Sequence, residues 1–358
     1  MLRPTVSVES LKQYHPPLAA RNGVRLDFNE NTSGCSPRVL NRLRSLTAED
    51  LARYPEREPL EASVARWLGV GARQVLLTNG VDEGIHLLAE TYLGPGTQAL
   101  ITVPTFSMYE IYAAATGAMV VTVPSGDDFG FPLEKMLERI TPATRLIVIA
   151  NPNNPTGTVV EREDLLAIAA AAPEAALLVD EAYFDFHGES VIDVLARFPN
   201  LFVARTFSKA YGMAGLRVGA LAGAAEQMAF VKRVSSPYNV NAVALACLPD
   251  AIADSSYVAN YILAVRKNRE RLEGELDALG LQYWKSHANF VLVRIGTAHS
   301  AFVSAMRERG ILVRDRNTDP GCAGCVRISL GTDHETDALL AALRQVVEQM
   351  RRAQEVSA

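Results

Sequence analysis

Tryptophan occurs twice, cysteine four times and histidine six times in 358 residues, and these scarcities exclude several classes of protein. Four cysteines cannot form the dense disulfide framework of a small secreted scaffold, and Cys35 and Cys247 lie far from the remaining pair in Cys322-Ala-Gly-Cys325. One C-x-x-C supplies two of the four ligands that tetrahedral zinc requires, and no second pair with ligand spacing follows. No metal is expected, and the pair reads as two reduced thiols around a glycine turn, with a redox-sensitive dithiol as the alternative. No window approaches 18 uninterrupted apolar residues, and the opening ten residues lack the apolar core of a secretion signal. A cytoplasmic protein with no membrane partner is expected. Basic charge is also short, with 35 Lys and Arg against 40 Asp and Glu, a net charge of -5 and a pI near 5.8. The clusters Arg266-Lys-Asn-Arg-Glu-Arg271 and Arg351-Arg352 are mixed with acids on helical stretches, so nucleic acid is not an expected partner.

What is present is apolar sequence in short, regularly spaced runs. Hydrophobic residues make up 49% and charged residues 21% of the chain, enough for two cores at this length. Between residues 63 and 205, strand-like runs (75–78, 99–103, 120–123, 146–150, 177–180, 201–206) alternate with helical stretches such as 82–92 and 163–171. That alternation predicts an α/β domain with a mostly parallel sheet covered by helices. Beyond residue 241 the texture changes to one long helical stretch at 251–279, then strands near 289–293, 310–314 and 325–330, a helix at 298–309 and a last helix from 333. This predicts a smaller α+β domain. The expected division is an N-terminal segment 1–35 associated with the small domain, a large domain 36–240, and a small C-terminal domain 241–358.

Polar residues gather at the ends of the predicted strands, where open parallel sheets bind ligands. Lys209 follows the apolar run 201–204, with Thr206 and Ser208 before it and Arg217 after it; a lysine so placed, beside groups that bind phosphate, suits Schiff-base chemistry. Asp180 ends the run Ala-Ala-Leu-Leu-Val, where a carboxylate is costly unless paired. Alternation sends its neighbour Glu181 to the opposite face. Gly80-Val81-Asp82 precedes a helical stretch, a turn whose amides and helix dipole favour an anion. Arg327 lies on an apolar strand and implies a buried partner, for which a carboxylate fits its planar fork.

Several longer motifs share this chain order: Asn151-Pro-Asn-Asn-Pro-Thr-Gly157, Asp180-Glu-Ala-Tyr183 and Ser208-Lys209 followed by Gly215-Leu216-Arg217. In these the chain resembles the pyridoxal-phosphate aminotransferases of fold type I (aspartate aminotransferase-like). Asp27-Phe-Asn-Glu-Asn31, Arg53-Tyr-Pro55, Thr78-Asn-Gly-Val-Asp-Glu-Gly84 and Cys325-Val-Arg-Ile-Ser-Leu-Gly331 narrow the resemblance to the histidinol-phosphate aminotransferase family, over nearly the whole chain. The resemblance implies pyridoxal 5'-phosphate as cofactor and Lys209 as the residue that links to it and moves the proton. It implies Asp180 at the ring nitrogen, Asn154 and Tyr183 at the phenolic oxygen, and Gly80, Val81, Asp82, Thr206, Ser208 and Arg217 at the phosphate. It places Tyr54 at the phosphate of a partner subunit's cofactor, which makes the active unit a homodimer. Arg327, Arg314 and Asn31 would meet the substrate. Phe106 stands where the family has a ring-stacking tyrosine, and it retains the ring without the hydroxyl; Tyr109, three residues on, is the fallback or a helix-lining residue. Thr32 replaces the family's proline after Asn-Glu-Asn.

The implied activity is transamination between a small-molecule amino donor and a 2-oxo acid, with histidinol phosphate and 2-oxoglutarate as the pair, in histidine biosynthesis. The alternatives that share the cofactor are an aromatic amino-acid aminotransferase and a threonine-phosphate-type decarboxylase. A ligand-sensing regulator built on this fold would carry a separate DNA-binding domain, for which the segment before Asn29 is too short.

Overall fold

The structure, a computed structural model, describes residues 2–15 and 22–357. Residues 1, 16–21 and 358 of the expected domain ranges lie outside the described residues.

Seven strands form the central sheet, in the spatial order Val75–Thr78, Gly219–Gly223, Leu201–Thr206, Ala176–Asp180, Thr144–Ala150, Gln98–Val103, Met119–Pro124. Neighbours run parallel except at Gly219–Gly223, which is antiparallel to both of its partners. That strand was not foreseen, because Gly-Ala-Leu-Ala-Gly lacks the β-branched and aromatic residues that mark a strand. Its small side chains suit its position: a Cβ on Gly219 would come within 3.0 Å of the Gly80 backbone.

Both faces of the sheet are covered, which is why its inner strands read as unbroken apolar runs. Leu177 and Val179 belong to one core with Ile147, Leu201 and Val203, while Ala176 and Leu178 belong to a second with Val148, Phe202 and Tyr109. Period-two alternation therefore sorts each strand between two cores. Asp180 continues the face of Ala176 and Leu178, and Glu181 lies on the other. There Glu181 pairs with Arg205 at 2.7 Å and accepts hydrogen bonds from Ser190 Oγ and the Val191 amide.

A second, antiparallel sheet has the order Arg314–Asp315, Cys325–Ser329, Phe290–Arg294, Gln282–Trp284. The expected strand at 310–314 is divided between two sheets, since Ile311–Leu312 pairs in parallel with Val24–Arg25 before Arg314 joins Cys325–Ser329. The long helix expected at 251–279 is Ser255–Ala278, and a further helix, Ala242–Ala253, precedes it and meets it at a 77° bend. Among the described residues no single helix is long and apolar enough to cross a membrane. Cys322 and Cys325 are free and buried, packed with Phe129, Trp284 and Leu292, and the Cys325 amide donates to the Cys322 carbonyl across a tight turn. No metal-binding group of His, Cys, Asp or Glu occurs among the described residues.

Candidate active site

The carboxyl ends of Val75–Thr78, Thr144–Ala150, Ala176–Asp180 and Leu201–Thr206 open on one edge of the large sheet. A cavity of about 600 Å3 lies there, closed on its far side by the small sheet. Asp180, Tyr183, Thr206, Ser208, Lys209 and Arg217 line it, with Val81, Asp82, Phe106, Asn154, Arg314 and Arg327.

Asp180 sits at the bottom. Its Oδ2 accepts a 2.6 Å bond from the Tyr109 hydroxyl and its Oδ1 a 3.0 Å bond from the Ala182 amide. Burial nevertheless raises its pKa to about 6, against the lowering effect of these two donors, with smaller upward contributions from Asp82 and Glu181. Tyr109 is thus a partner of Asp180 in addition to a core residue of the helix Met108–Ala115. Phe106 meets the Tyr109 ring edge-on, centroids 5.6 Å apart.

The anion cradle is built around Gly80. This residue has φ +74°, and a Cβ there would come within 2.4 Å of the Arg217 Nη2, so only glycine lets the guanidinium lie against the helix start. The helix Gly80–Tyr92 begins without a side-chain cap from Asn79, leaving its first-turn amides without intrahelical acceptors. Arg217 binds Asp82 at 2.9 Å and reaches Ser208 Oγ at 3.5 Å, while the Ser208 amide is held by Thr206 Oγ1 at 3.0 Å. Lys209 Nζ lies 3.3 Å from the Phe28 carbonyl oxygen and 5.8 Å from the Tyr183 ring centroid.

The segment after Val24–Arg25 stitches the two sheets together. Asn29 adopts φ +55° and donates from Nδ2 to the Tyr183 hydroxyl at 2.9 Å. Its Oδ1 accepts from Ser329 Oγ at 2.8 Å, and its carbonyl accepts from Asn289. Arg327 donates to the Asp27 carbonyl at 2.7 Å and to Asn154 Oδ1. Burial, then the nearby charge of Arg316, pushes the pKa of Arg327 down to about 10.

Of the expected residues, Gly80 lies behind the lining, against Arg217, and two others are not brought to the cavity. Asn31 is turned away, donating to the Ala210 carbonyl and accepting from the Ser33 amide. Asn29, two residues earlier, lines the cavity instead. Tyr54 is 76% exposed and stacks on Tyr238 at 4.2 Å, outside the cavity lining. Thr32 also lies outside that lining, where its hydroxyl donates to Glu335 near the start of the last helix. Sequence reasoning missed Tyr14 and Arg316, both lining residues. Tyr14 carried no signal, being one aromatic residue in a polar segment; for Arg316 the spacing two beyond Arg314 was the available signal.

The aminotransferase class I and II model matches residues 21–343. This chain belongs to that family. Among its relatives, histidinol-phosphate aminotransferase 2 of Methylococcus capsulatus is 36% identical over 92% of this chain and 91% of its own length. The histidinol-phosphate aminotransferase of Roseobacter denitrificans is 38% identical over 89% and 90%. Among solved structures, the histidinol-phosphate aminotransferase of Sinorhizobium meliloti in complex with pyridoxal-5'-phosphate superimposes with a TM-score of 0.89. Its sequence identity is 28%, covering 98% of this chain and 99% of that one. The fold is that of the aspartate aminotransferase-like, fold type I enzymes, as an aspartate aminotransferase from Thermus thermophilus also matches at a TM-score of 0.80 and 25% identity.

Proposed function

We propose that this aminotransferase uses pyridoxal 5'-phosphate to transfer the amino group of histidinol phosphate to 2-oxoglutarate in histidine biosynthesis, as a cytoplasmic homodimer. Residues 36–240 would form the cofactor domain, with 1–35 and 241–358 forming the smaller domain. The observation that carries the reading is the meeting, in one cavity, of Lys209, Asp180 and Arg217, the last packed against Gly80, with Arg314 and Arg327. The names of the relatives select the donor.

The residues fit the cofactor. A buried carboxylate whose pKa is raised by desolvation lacks a cation, which the protonated ring nitrogen would provide next to Asp180. The cradle in which a Cβ on Gly80 would collide with Arg217 supplies amides and a guanidinium for its phosphate, with Thr206 and Ser208 adding hydroxyls. Tyr183 accepts from Asn29 and keeps its own proton to donate, and Asn154 keeps its amide NH2, so both can serve the phenolic oxygen. Phe106 offers a ring for stacking. When bound, the cofactor supplies an electron sink for the substrate α-carbon.

The chain's own work is positional and acid–base. Lys209, on the turn after Leu201–Thr206, takes the proton from the substrate α-carbon and returns it on the other side of the reaction. Asp180 stays ionised through Tyr109 and the Ala182 amide and holds positive charge opposite it. Arg327 orients a carboxylate in the acceptor half-reaction, and Arg314 and Arg327 orient the phosphate in the donor half. Tyr54, exposed on the surface, would complete the cradle of the partner subunit.

The test is to mix the holoenzyme with single amino donors and follow the cofactor's visible absorbance. Histidinol phosphate should discharge it fastest. Faster conversion by phenylalanine or tyrosine would move the assignment to an aromatic aminotransferase, and release of carbon dioxide from threonine phosphate would move it to a decarboxylase.

A further inference from the structure

Arg316 lies at the start of the turn that returns from Arg314–Asp315 to Cys325–Ser329, and it shares the cavity lining with Arg314 and Arg327. Its main chain is pinned on both sides, the amide donating to the Cys325 carbonyl and the carbonyl accepting from the Asp319 amide, each at 3.0 Å. Its side chain is 12% exposed and forms an ion pair with Asp319. The Nε of Arg316 is buried with no hydrogen-bond acceptor, as are the Nε of Arg327 and one terminal nitrogen of Arg314. Three guanidinium groups, each with one buried nitrogen that finds no acceptor, therefore share the lining at one end of the cavity. Leaving such charges uncompensated is expensive, and the depressed pKa of Arg327 reflects it.

The carboxylate set against all three is Asp319, which feels Arg316 most, then Arg327 and Arg314. Asp27 and Glu30 add their carboxylates elsewhere in the same lining. A phosphate monoester carries close to two negative charges near neutral pH. A single carboxylate can be satisfied by one bidentate arginine, whereas a phosphate has three terminal oxygens and needs donors from more than one.

We propose that Arg316, held in place by Asp319, is a specificity-determining contact for the phosphate dianion of the amino donor, acting with Arg314 and Arg327. The inference rests on the histidinol-phosphate reading above. It gives the loop 316–325 a function, since that loop sets Arg316 and its counter-charge in one turn.

The experiment measures the donor half-reaction of the holoenzyme with histidinol phosphate and with histidinol, which lacks the phosphate. Arg316→Ala should lower kcat/KM for histidinol phosphate about 30- to 150-fold, chiefly through KM, and change the value for histidinol less than about threefold. Arg316→Lys should recover part of the loss by restoring the charge. Because Arg316→Ala strands the Asp319 carboxylate, the Arg316→Ala, Asp319→Ala double variant serves as a second test and should show the same loss of preference. Should the double variant regain the wild-type preference, the effect belongs to a stranded carboxylate and the proposal is overturned; equal losses with both donors also overturn it. A wild type that shows no preference for histidinol phosphate refutes the donor assignment itself, which separates that failure from failure at Arg316.

Discussion

The two ends of the cavity are built differently. At the end formed by the large sheet, polar groups have partners: Asp180 accepts from Tyr109 and Ala182, Arg217 is paired with Asp82, and Lys209 lies by the Phe28 carbonyl. At the end formed by the small sheet, Arg314, Arg316 and Arg327 each keep a buried nitrogen with no acceptor. The first end is organised before anything binds, as suits a resident cofactor. The second brings three guanidinium groups into the lining, as suits anionic substrates that come and go. Strand ends held in a block of five parallel-paired strands give the first its rigidity, while two short strands and a turn give the second its freedom to differ between relatives.

The largest effect should come from the organised end. On the proposed mechanism Lys209→Ala removes the amine assigned to the α-proton, and turnover should fall by about 10⁴-fold or more with the fold retained. Steady-state rates with circular dichroism as the fold control check this. A borohydride-reducible adduct at another lysine in the native protein would refute the assignment.

Next in size is Asp180. On the proposed assignment, replacing it by Asn removes the charge opposite the ring nitrogen, and losing roughly 4 kcal/mol of transition-state stabilisation should slow the reaction about a thousandfold. Glu181→Gln is the matched control, since its carboxylate faces Arg205 beneath the sheet; equal damage from both would show that the cavity face is not what matters. The pH dependence follows in sign. The ionised form of Asp180 is the one that pairs with a cation, and its pKa is about 6. Cofactor affinity of the apoprotein should therefore hold above that pH and weaken as pH falls through it. Tyr109→Phe deletes a donor to the carboxylate, so the midpoint should move upward. A midpoint that stays in place or moves down would remove Tyr109 from this role.

The same contrast explains what could be read from the sequence. Lys209 and Asp180 sit at or just beyond the ends of apolar runs, so period-two alternation and strand termini place them with local information alone. The segment 27–31 is different. Asn29 and Asn31 are both asparagines in one short motif, and the choice between them is made by the left-handed backbone at Asn29 and by Ser329, 300 residues away. Arg316 and Tyr14 reach the cavity through a loop and an N-terminal segment whose courses depend on contacts such as Arg314 to Tyr14 at 3.2 Å. Likewise the strand Gly219–Gly223 exists because its glycines admit close neighbours, a tertiary reason that propensity does not carry. The helix Ala242–Ala253 is hard to read because it is apolar almost throughout and contains Pro249.

The smallest predicted effect tests whether the organised end is complete within one chain. Tyr54 is 76% exposed, stacked on the exposed Tyr238 and close in sequence to Leu51, also exposed. An aromatic pair in water with an apolar neighbour suits a surface that another copy covers. If Tyr54 donates its hydroxyl to the phosphate of the partner subunit's cofactor, Tyr54→Phe should weaken cofactor binding by about fivefold, the worth of one hydrogen bond near 1 kcal/mol. The direction of the contact is decided by mixing. Chains carrying Tyr54→Phe and chains carrying Lys209→Ala, differently tagged, exchanged and purified as heterodimers, contain one site with Lys209. Supplied across the interface, that site receives an intact Tyr54 from the Lys209→Ala chain, and its cofactor affinity should equal that of the wild type. Affinity that stays fivefold weaker would place Tyr54 in its own chain's site, and the cofactor end would then be self-sufficient in each subunit.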